Sequence, residues 1–511
     1  MELKFTSRGN RYINFIIEKT EQMRIKINQL LFLVCLFGSI ILTGCQKWED
    51  HNDVTDQELK QDLFVQIKGN TNLSKFAELI TKSGYDKVLA SSRTFTVFAP
   101  TNAALASLDA AIIADSAKLS AFVGNHITTQ TYFTTGATTQ LRLKMLNGKY
   151  QNMLNKSIDV ATIVEADKYA KNGVVQVIDK MLPVLNNGWE VIQTDASIPA
   201  LQKNYMLSLF QKMFDPTNAV QIGINQTTGE PIYQPGTDSV TINKFWRSVY
   251  DLKDESKQFT LFVLTDAAWT SELNKFKPFC TTLTNNADST TNFASWAVVK
   301  DLAIEGLYNA TATTDTVLSK FNVKVPVDKA AIVQTIKTSN GVIYIMNKVD
   351  VQPRHKIQPI TIEAENYRTT SVDKRGNTYF RDRLNPVTGK IFRDVNVYNH
   401  GTVLFNINYR VNEVYSGVKY KAYWVALNDF NGGTAFNQKL AFETPTANTF
   451  TLQKADGYTA VNANVYTEVL LGETTLPVYK PVLDVYLTAA NSGAAAVNPI
   501  VCDYIRLEPQ F

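Results

Sequence analysis

One strand-and-cap block occurs twice in this chain, as FTVFAPTNAAL at 95–105 and as FTLFVLTDAAW at 259–269. A chain that repeats a segment at such a distance must build one local structure twice. That requirement constrains the fold more than any other feature. Phe95, Val97 and Phe98 align with Phe259, Leu261 and Phe262. Thr101, Asn102, Ala103 and Ala104 align with Thr265, Asp266, Ala267 and Ala268. A second pair of blocks follows, NGVVQVIDKMLP at 172–183 and NGVIYIMNKVDVQP at 340–353, lying 77 and 81 positions after the first pair. Two matches in the same order at nearly the same spacing indicate an internal duplication.

Each block has a local physical explanation. TFTVF reads as a short strand, and Thr101 or Asn102 is placed to cap a following helix whose Ala-Ala first turn loses little side-chain entropy. Thr265 and Asp266 take the same place in the second copy. The Asn-Gly pairs at 172–173 and 340–341 predict turns, because both residues tolerate positive backbone dihedrals, with the strands VVQVID and VIYIMN following. These residues read as fold determinants rather than reactive groups.

With both blocks in view, the two copies resemble fasciclin (FAS1) domains, α+β modules, spanning about 56–186 and 187–353. The first copy also carries FVGNHI at 122–127, so His126 falls on the family's histidine, whose role there is packing and hydrogen bonding. The second departs from the pattern: Leu264 replaces the proline matched by Pro100, Tyr344 replaces the family's usual polar or histidine residue, and no equivalent of His126 can be placed. Residues 216–243 form a polar insertion punctuated by Gly and Pro, either an interaction loop or an embellishment packed on its own domain.

The segment VQPRHKIQP at 351–359 reads as a linker, since its prolines and charges interrupt helix and strand. Beyond it, 354–511 reads as an all-β domain with strands at 403–411, 420–428, 449–453 and 482–489. ITIEAENY at 360–367 and VCDYIRLEP at 501–509 resemble the first and last strands of the galactose-binding-like jelly roll shared by several carbohydrate-binding modules. That resemblance implies that the terminal strands pair. It also suggests a saccharide surface, for which Tyr379, Phe380, Arg381, Asp382 and Trp424 are the candidates. Trp424 lies within an apparent strand, where a core role competes. Glu363 and Glu365, two apart, would share one face of a strand and are the weak candidates for a structural calcium ion, although two acids are few for such a site.

Lys and Arg total 51 against 47 Asp and Glu, and 1–44 accounts for most of the net +4, so no basic stripe awaits a nucleic acid. The run LLFLVCLFGSIIL, Leu30–Leu42, follows Arg24 and Lys26 and suits a signal-peptide core. Residues 1–22 read as an upstream start extension before Met23. LTGC at Leu42–Cys45 resembles a bacterial lipobox, implying lipid (palmitate among the acyl chains) on Cys45 and a lipidated tether over 45–55. CQKWED resembles the surface-export signal of Bacteroidota lipoproteins, interrupted by Trp48. Outer-membrane anchoring facing the exterior is the expectation. Cys280 and Cys502 read as isolated thiols.

The sequence carries little that could do chemistry. His51, His126, His355 and His400 have no metal-ligand spacing, and no GxSxG elbow, HExxH helix or P-loop occurs. The sequence therefore predicts a non-enzymatic lipoprotein making adhesive contacts or serving an envelope complex. The alternative is a polysaccharide-presenting accessory of a TonB-dependent transporter and its lid lipoprotein.

Overall fold

The computed structural model describes residues 60–283, 287–309, 316–451 and 455–511. The apolar leader, the tether and Cys45 lie outside the described residues. The chain divides into two compact units, one ending at Val184 and one running Leu185–Phe511.

The first unit is built on a seven-stranded sheet in which Phe95–Pro100, second from one edge, pairs in parallel with Gly173–Ile178 and antiparallel with Ile127–Thr129. Alternate side chains of this strand enter two cores. Val97 packs with Phe76, Ile80, Phe122 and Val175, whereas Phe98 packs with Met153, Ile163 and Ile178. Burial on both faces explains why the strand is apolar at nearly every position, with Thr96 the buried exception. The second unit opens with the same pattern in four strands. Phe259–Leu264 pairs in parallel with Gly341–Met346 and antiparallel with Ala303–Glu305.

Register shows why Asn-Gly recurs. Phe95 lies opposite Gly173, and Phe259 opposite Gly341. Both glycines have strongly positive φ, +147° and +156°, and a Cβ at either would collide with the facing phenylalanine carbonyl. The turn expected at each pair exists, but close strand approach is what excludes other residues at its glycine. The preceding asparagine ties that corner to its surroundings. Asn172 accepts from the Leu63 amide (2.9 Å) and donates to the Leu89 carbonyl (2.6 Å). Asn340 accepts from the Gly188 amide (2.9 Å) and donates to the Leu252 carbonyl (2.9 Å).

Other expectations diverge between the copies. Thr265 caps the helix Asp266–Phe276 as expected. In the first copy Thr101 accepts from the Ala104 amide (3.1 Å), but only a 3-10 turn, Ala104–Ser107, follows. Asn102 is drawn away instead, accepting from the Lys75 amide and donating to the Thr71 carbonyl at the start of the helix Ser74–Ser83. Backbone pairing also places the missing histidine equivalent. The amide of Phe98 donates to the His126 carbonyl and that of Phe262 to the Leu302 carbonyl, so Leu302 holds the position of His126.

The insertion folds as two antiparallel ribbons, Phe210–Phe214 with Ser239–Asn243 and Gln221–Ile224 with Pro231–Tyr233. Its base is pinned where Phe210, Trp189 and Trp246 meet edge to face. Its outer portion leaves Phe214, Ile222, Ile224, Ile232 and Val240 exposed.

The all-β region has sheets of four, five and three strands. Its first strand, Ile360–Glu363, pairs antiparallel with the last, Tyr504–Gln510, as the terminal signals implied. Trp424 and Ile505 from one sheet share a core with Ile407, Tyr409 and Val485 from another, the organisation of a sandwich. The strand expected at 449–453 is absent over its described residues. Phe450 is buried in an irregular segment instead, and 452–453 lie outside the described residues.

The expected linker is part of the core. Residues 351–359 contain a helical turn, Pro353–Lys356, with Val351, Lys356 and Ile357 buried, and one continuous apolar core runs from Trp189 to Leu507. The Ser416 amide donates to the Phe279 carbonyl (2.9 Å), and the Tyr479 amide to that of Thr281 (2.7 Å). Phe293 packs on Tyr479 with centroids 4.9 Å apart. Lys356 reaches back to pair with buried Asp301, which also accepts from Ser319. Lys300 pairs with Glu413, whose other oxygen accepts from the Trp296 indole (2.9 Å). Glu413 sits at φ +57°, an unfavourable backbone state for glutamate that these partners hold in place.

Gly173→Ala or Gly341→Ala should each destabilise its unit by about 3 kcal/mol in urea unfolding, from strain plus collision. Lys356→Met alone should cost about 3–5 kcal/mol by stranding Asp301, while Lys356→Met with Asp301→Leu should recover most of that loss. Equal destabilisation by the single and double variants would contradict the pairing.

Candidate functional site

His126 is wholly buried. The Leu182 amide donates to its Nε2 (2.9 Å), which places the proton on Nδ1, and Nδ1 donates to the Phe122 carbonyl (2.8 Å). Its ring packs on Phe122 and Phe76. Burial lowers its pKa to about 4, so the imidazole is neutral and occupied at both nitrogens. The bonding is that of a structural histidine.

In the all-β region the hairpin Thr378–Leu384 and Ile391–Val397 carries the sequence candidates and divides them between its two faces. Arg381 lies on one face and is consumed. It pairs with buried Asp394 and with Asp429 at 3.2 Å, leaving 14% of its side chain exposed. Asp429 also pairs with Arg383. Phe380 and Asp382 lie on the other face, in the open. Phe380 is 45% exposed and nearly parallel to Tyr367, 8° between planes with centroids 6.3 Å apart. Arg393 lies 5.9 Å from the Phe380 ring and 3.5 Å from Asp382. Tyr379 is exposed as well. Trp424 is corrected as a contact residue: at 1% exposure it belongs to the sandwich core.

Arg393 also borders a cleft of about 780 Å³ lined by Glu363, Lys390, Glu468, Asp503 and Tyr504. Arg506 fixes Glu468 with two bonds of 2.6 Å, and the Tyr504 hydroxyl donates to it at 3.0 Å. Acids crowd the cleft floor. Burial, then Glu363, Asp394 and Glu365, pushes Asp503 up to about 7, and burial followed by Glu365 raises Glu363. The strand ends at Glu363, so Glu365 lies beyond it rather than on a shared strand face. One oxygen of Glu365 is buried without a partner, a setting that a hard cation would relieve. Among the described residues, however, no three His, Cys, Asp or Glu side chains stand close enough to hold a metal ion. Both Cys280 and Cys502 are free and buried, and burial pushes both thiols up, Cys280 to about 12.

The sequence pointed to Phe380 and Asp382 but missed Tyr367, Arg393 and the cleft. Tyr367 and Phe380 lie thirteen positions apart, with the strand Thr369–Thr370 and the 3-10 turn Arg375–Asn377 between them, so no periodicity joins them.

The Fasciclin domain family model matches residues 71–184 and 241–351. No curated protein matches the sequence. Among solved structures, the FAS1 domain pair of the insect cell adhesion molecule fasciclin I is similar at 15% identity with a TM-score of 0.23, covering 57% of this chain and 100% of that one. The CBM36-1 domain of a multidomain xylanase from the hindgut metagenome of Trinervitermes trinervoides is similar at 12% identity with a TM-score of 0.21, covering 30% and 98%. A family 35 carbohydrate binding module from Clostridium thermocellum is similar at 16% identity with a TM-score of 0.17, covering 29% and 96%. The chain carries two fasciclin domains followed by an all-β region.

His126 makes the first fasciclin domain sensitive to acid. Its folded pKa lies below the ordinary 6.5, so the unfolded chain binds more protons between pH 6.5 and 4. Stability should therefore fall by up to about 3 kcal/mol as pH drops through that window. Urea unfolding followed by circular dichroism should show this slope in the parent chain and a flatter one in His126→Gln. Equal slopes would count against the buried neutral ring.

Proposed function

We propose that this chain is a non-enzymatic binding lipoprotein, anchored to the outer membrane through Cys45 and facing outward, that contacts protein or matrix partners in adhesion or within an envelope complex. The observation that carries this reading is how the repeated residues are used. In both fasciclin domains the recurring Phe, Asn and Gly are engaged in strand pairing and backbone hydrogen bonds, and His126 is occupied at both nitrogens. Exposed apolar side chains are scattered over both units, and a group of them clusters on the ribbons and hairpin of the second. Such side chains suit recognition, and a lipid tether would raise their effective concentration at a surface.

A second reading, saccharide presentation to a TonB-dependent transporter, is favoured by the Tyr367–Phe380 pair beside the cleft. Flat aromatic faces flanked by charged hydrogen-bonding groups suit pyranose rings, and the cleft volume falls within the usual range for ligands. Calcium at Glu363 and Glu365 stays outside this proposal, because two carboxylates supply few of the roughly six to eight oxygens such an ion takes.

Intact-mass analysis of the native protein should show acyl groups on Cys45, and gentle purification should retain envelope proteins. An unmodified Cys45 sinks the anchoring. For the second reading, a saccharide array should be run on the whole chain, since the all-β region shares its core with the domain before it. Phe380→Ala should weaken any saccharide bound by about tenfold, given stacking of 1–3 kcal/mol as an order-of-magnitude guide from aromatic–base contacts. Unchanged binding would remove the platform from the reading.

A further inference from the structure

The insertion and the sandwich hairpin end in the same turn. At the first tip, Asn225 accepts from the amides of Thr227 and Thr228 through its side chain and from Gly229 through its carbonyl, while Thr228 accepts from the Glu230 amide. At the second, Asn385 accepts from the amides of Val387 and Thr388 and from Gly389 in the same way, and Thr388 accepts from the Lys390 amide. The Asn225 amide donates to the Glu230 carbonyl and the Asn385 amide to that of Lys390, each at a distance under 3 Å, 2.8 and 2.9 Å. The glycines close both turns at φ +73° and +67°.

Shape is shared, but charge is reversed. Glu230 stands where the other tip has Lys390. Residues 210–243 hold Lys212 against Asp215, Glu230 and Asp238, whereas on 378–397 Arg381, Arg383 and Arg393 are already paired with Asp394, Asp429 and Asp382, so the basic charge presented there is that of Lys390 at the tip. Both tips also project aliphatic side chains into solvent. Ile222 is 60% exposed with Ile224 and Ile232 beside it, and Ile391 is 78% exposed with Leu384 and Val387. Apolar side chains clustered at a hairpin tip mark a contact surface rather than scattered exposure.

We propose that these tips dock on each other between copies: the acidic insertion tip of one chain seats on the basic hairpin tip of a second copy of this chain. Charge complementarity selects the pairing, because like tips would set Glu230 against Glu230 or Lys390 against Lys390. The contact joins two different patches, so it is head-to-tail and leaves one free tip at each end. Association then continues beyond a dimer unless a ring closes.

The test is sedimentation equilibrium of the chain from residue 46 onward, which keeps every described residue and removes the lipid site. Average mass should rise with concentration and pass that of a dimer, and added salt should lower it. Glu230→Lys and Lys390→Glu should each weaken association about three- to tenfold, the range for an exposed pair converted to repulsion. The two changes together should restore it. Ile224→Ser with Leu384→Ser should abolish growth while circular dichroism stays unchanged. A parent chain that remains monomeric at about 100 µM, where contacts of micromolar affinity are populated, overturns the proposal and leaves the tips to another partner. A double charge reversal no stronger than either single one overturns it too.

Discussion

The parallel strand pair at the centre of each fasciclin domain depends on two backbones coming closer than a side chain allows. Phe95 and Phe259 set their carbonyls against Gly173 and Gly341, and the φ values there are ones that L side chains rarely adopt. Once the pair is closed, the asparagine preceding each glycine is held at a corner where it can tie an incoming segment to the sheet. The same strands then place their alternating side chains into the layers above and below. Strand pairing, domain entry and core composition thus follow from one steric condition, met twice in one chain.

Duplication did not oblige the two copies to behave alike. The first copy closes around a neutral histidine and a buried amide network, in which Asn125 donates to the Leu182 and Pro183 carbonyls. In the second copy Leu302 and Asp301 occupy the corresponding stretch. Asp301 is left facing a lysine that belongs to the chain's exit. A buried carboxylate needs a partner, and Lys356 supplies it from the segment that would otherwise link two independent domains. With Lys300, Glu413 and Trp296 added, the second fasciclin domain and the sandwich form one core.

This arrangement bears on recognition. The insertion ribbon and the sandwich hairpin both grow from that fused unit, and each is fixed at its root. Aromatic edges hold the ribbon, while pairing of Val395, Asn396 and Val397 with Cys502, Val501 and Ile500 holds the hairpin. Exposed apolar tips on fixed roots lose less conformational freedom on binding than tips on mobile loops. A protein whose shared residues are committed to backbone geometry can thus vary its contacts at the ribbons without disturbing the cores.

Adjacent residues and short periods were readable directly. The duplication, the apolar strands at 95–100 and 259–264, the Thr265 cap, the meeting of first and last sandwich strands and the two unpaired thiols all follow from local pattern or end-to-end matching. Residues with polar or charged side chains were not readable in that way. Arg381 looked available until Asp394 and Asp429 came to it, Asn102 looked like a helix cap until another helix claimed its side chain, and Lys356 looked like linker until Asp301 buried it. Phe380 gained a parallel ring partner only when Tyr367 arrived beside it. Which way a strand's faces alternate is written along the chain, because it depends on neighbours one and two positions away. What a charge or ring meets on that face depends on segments far off in sequence, and only the folded chain brings them together.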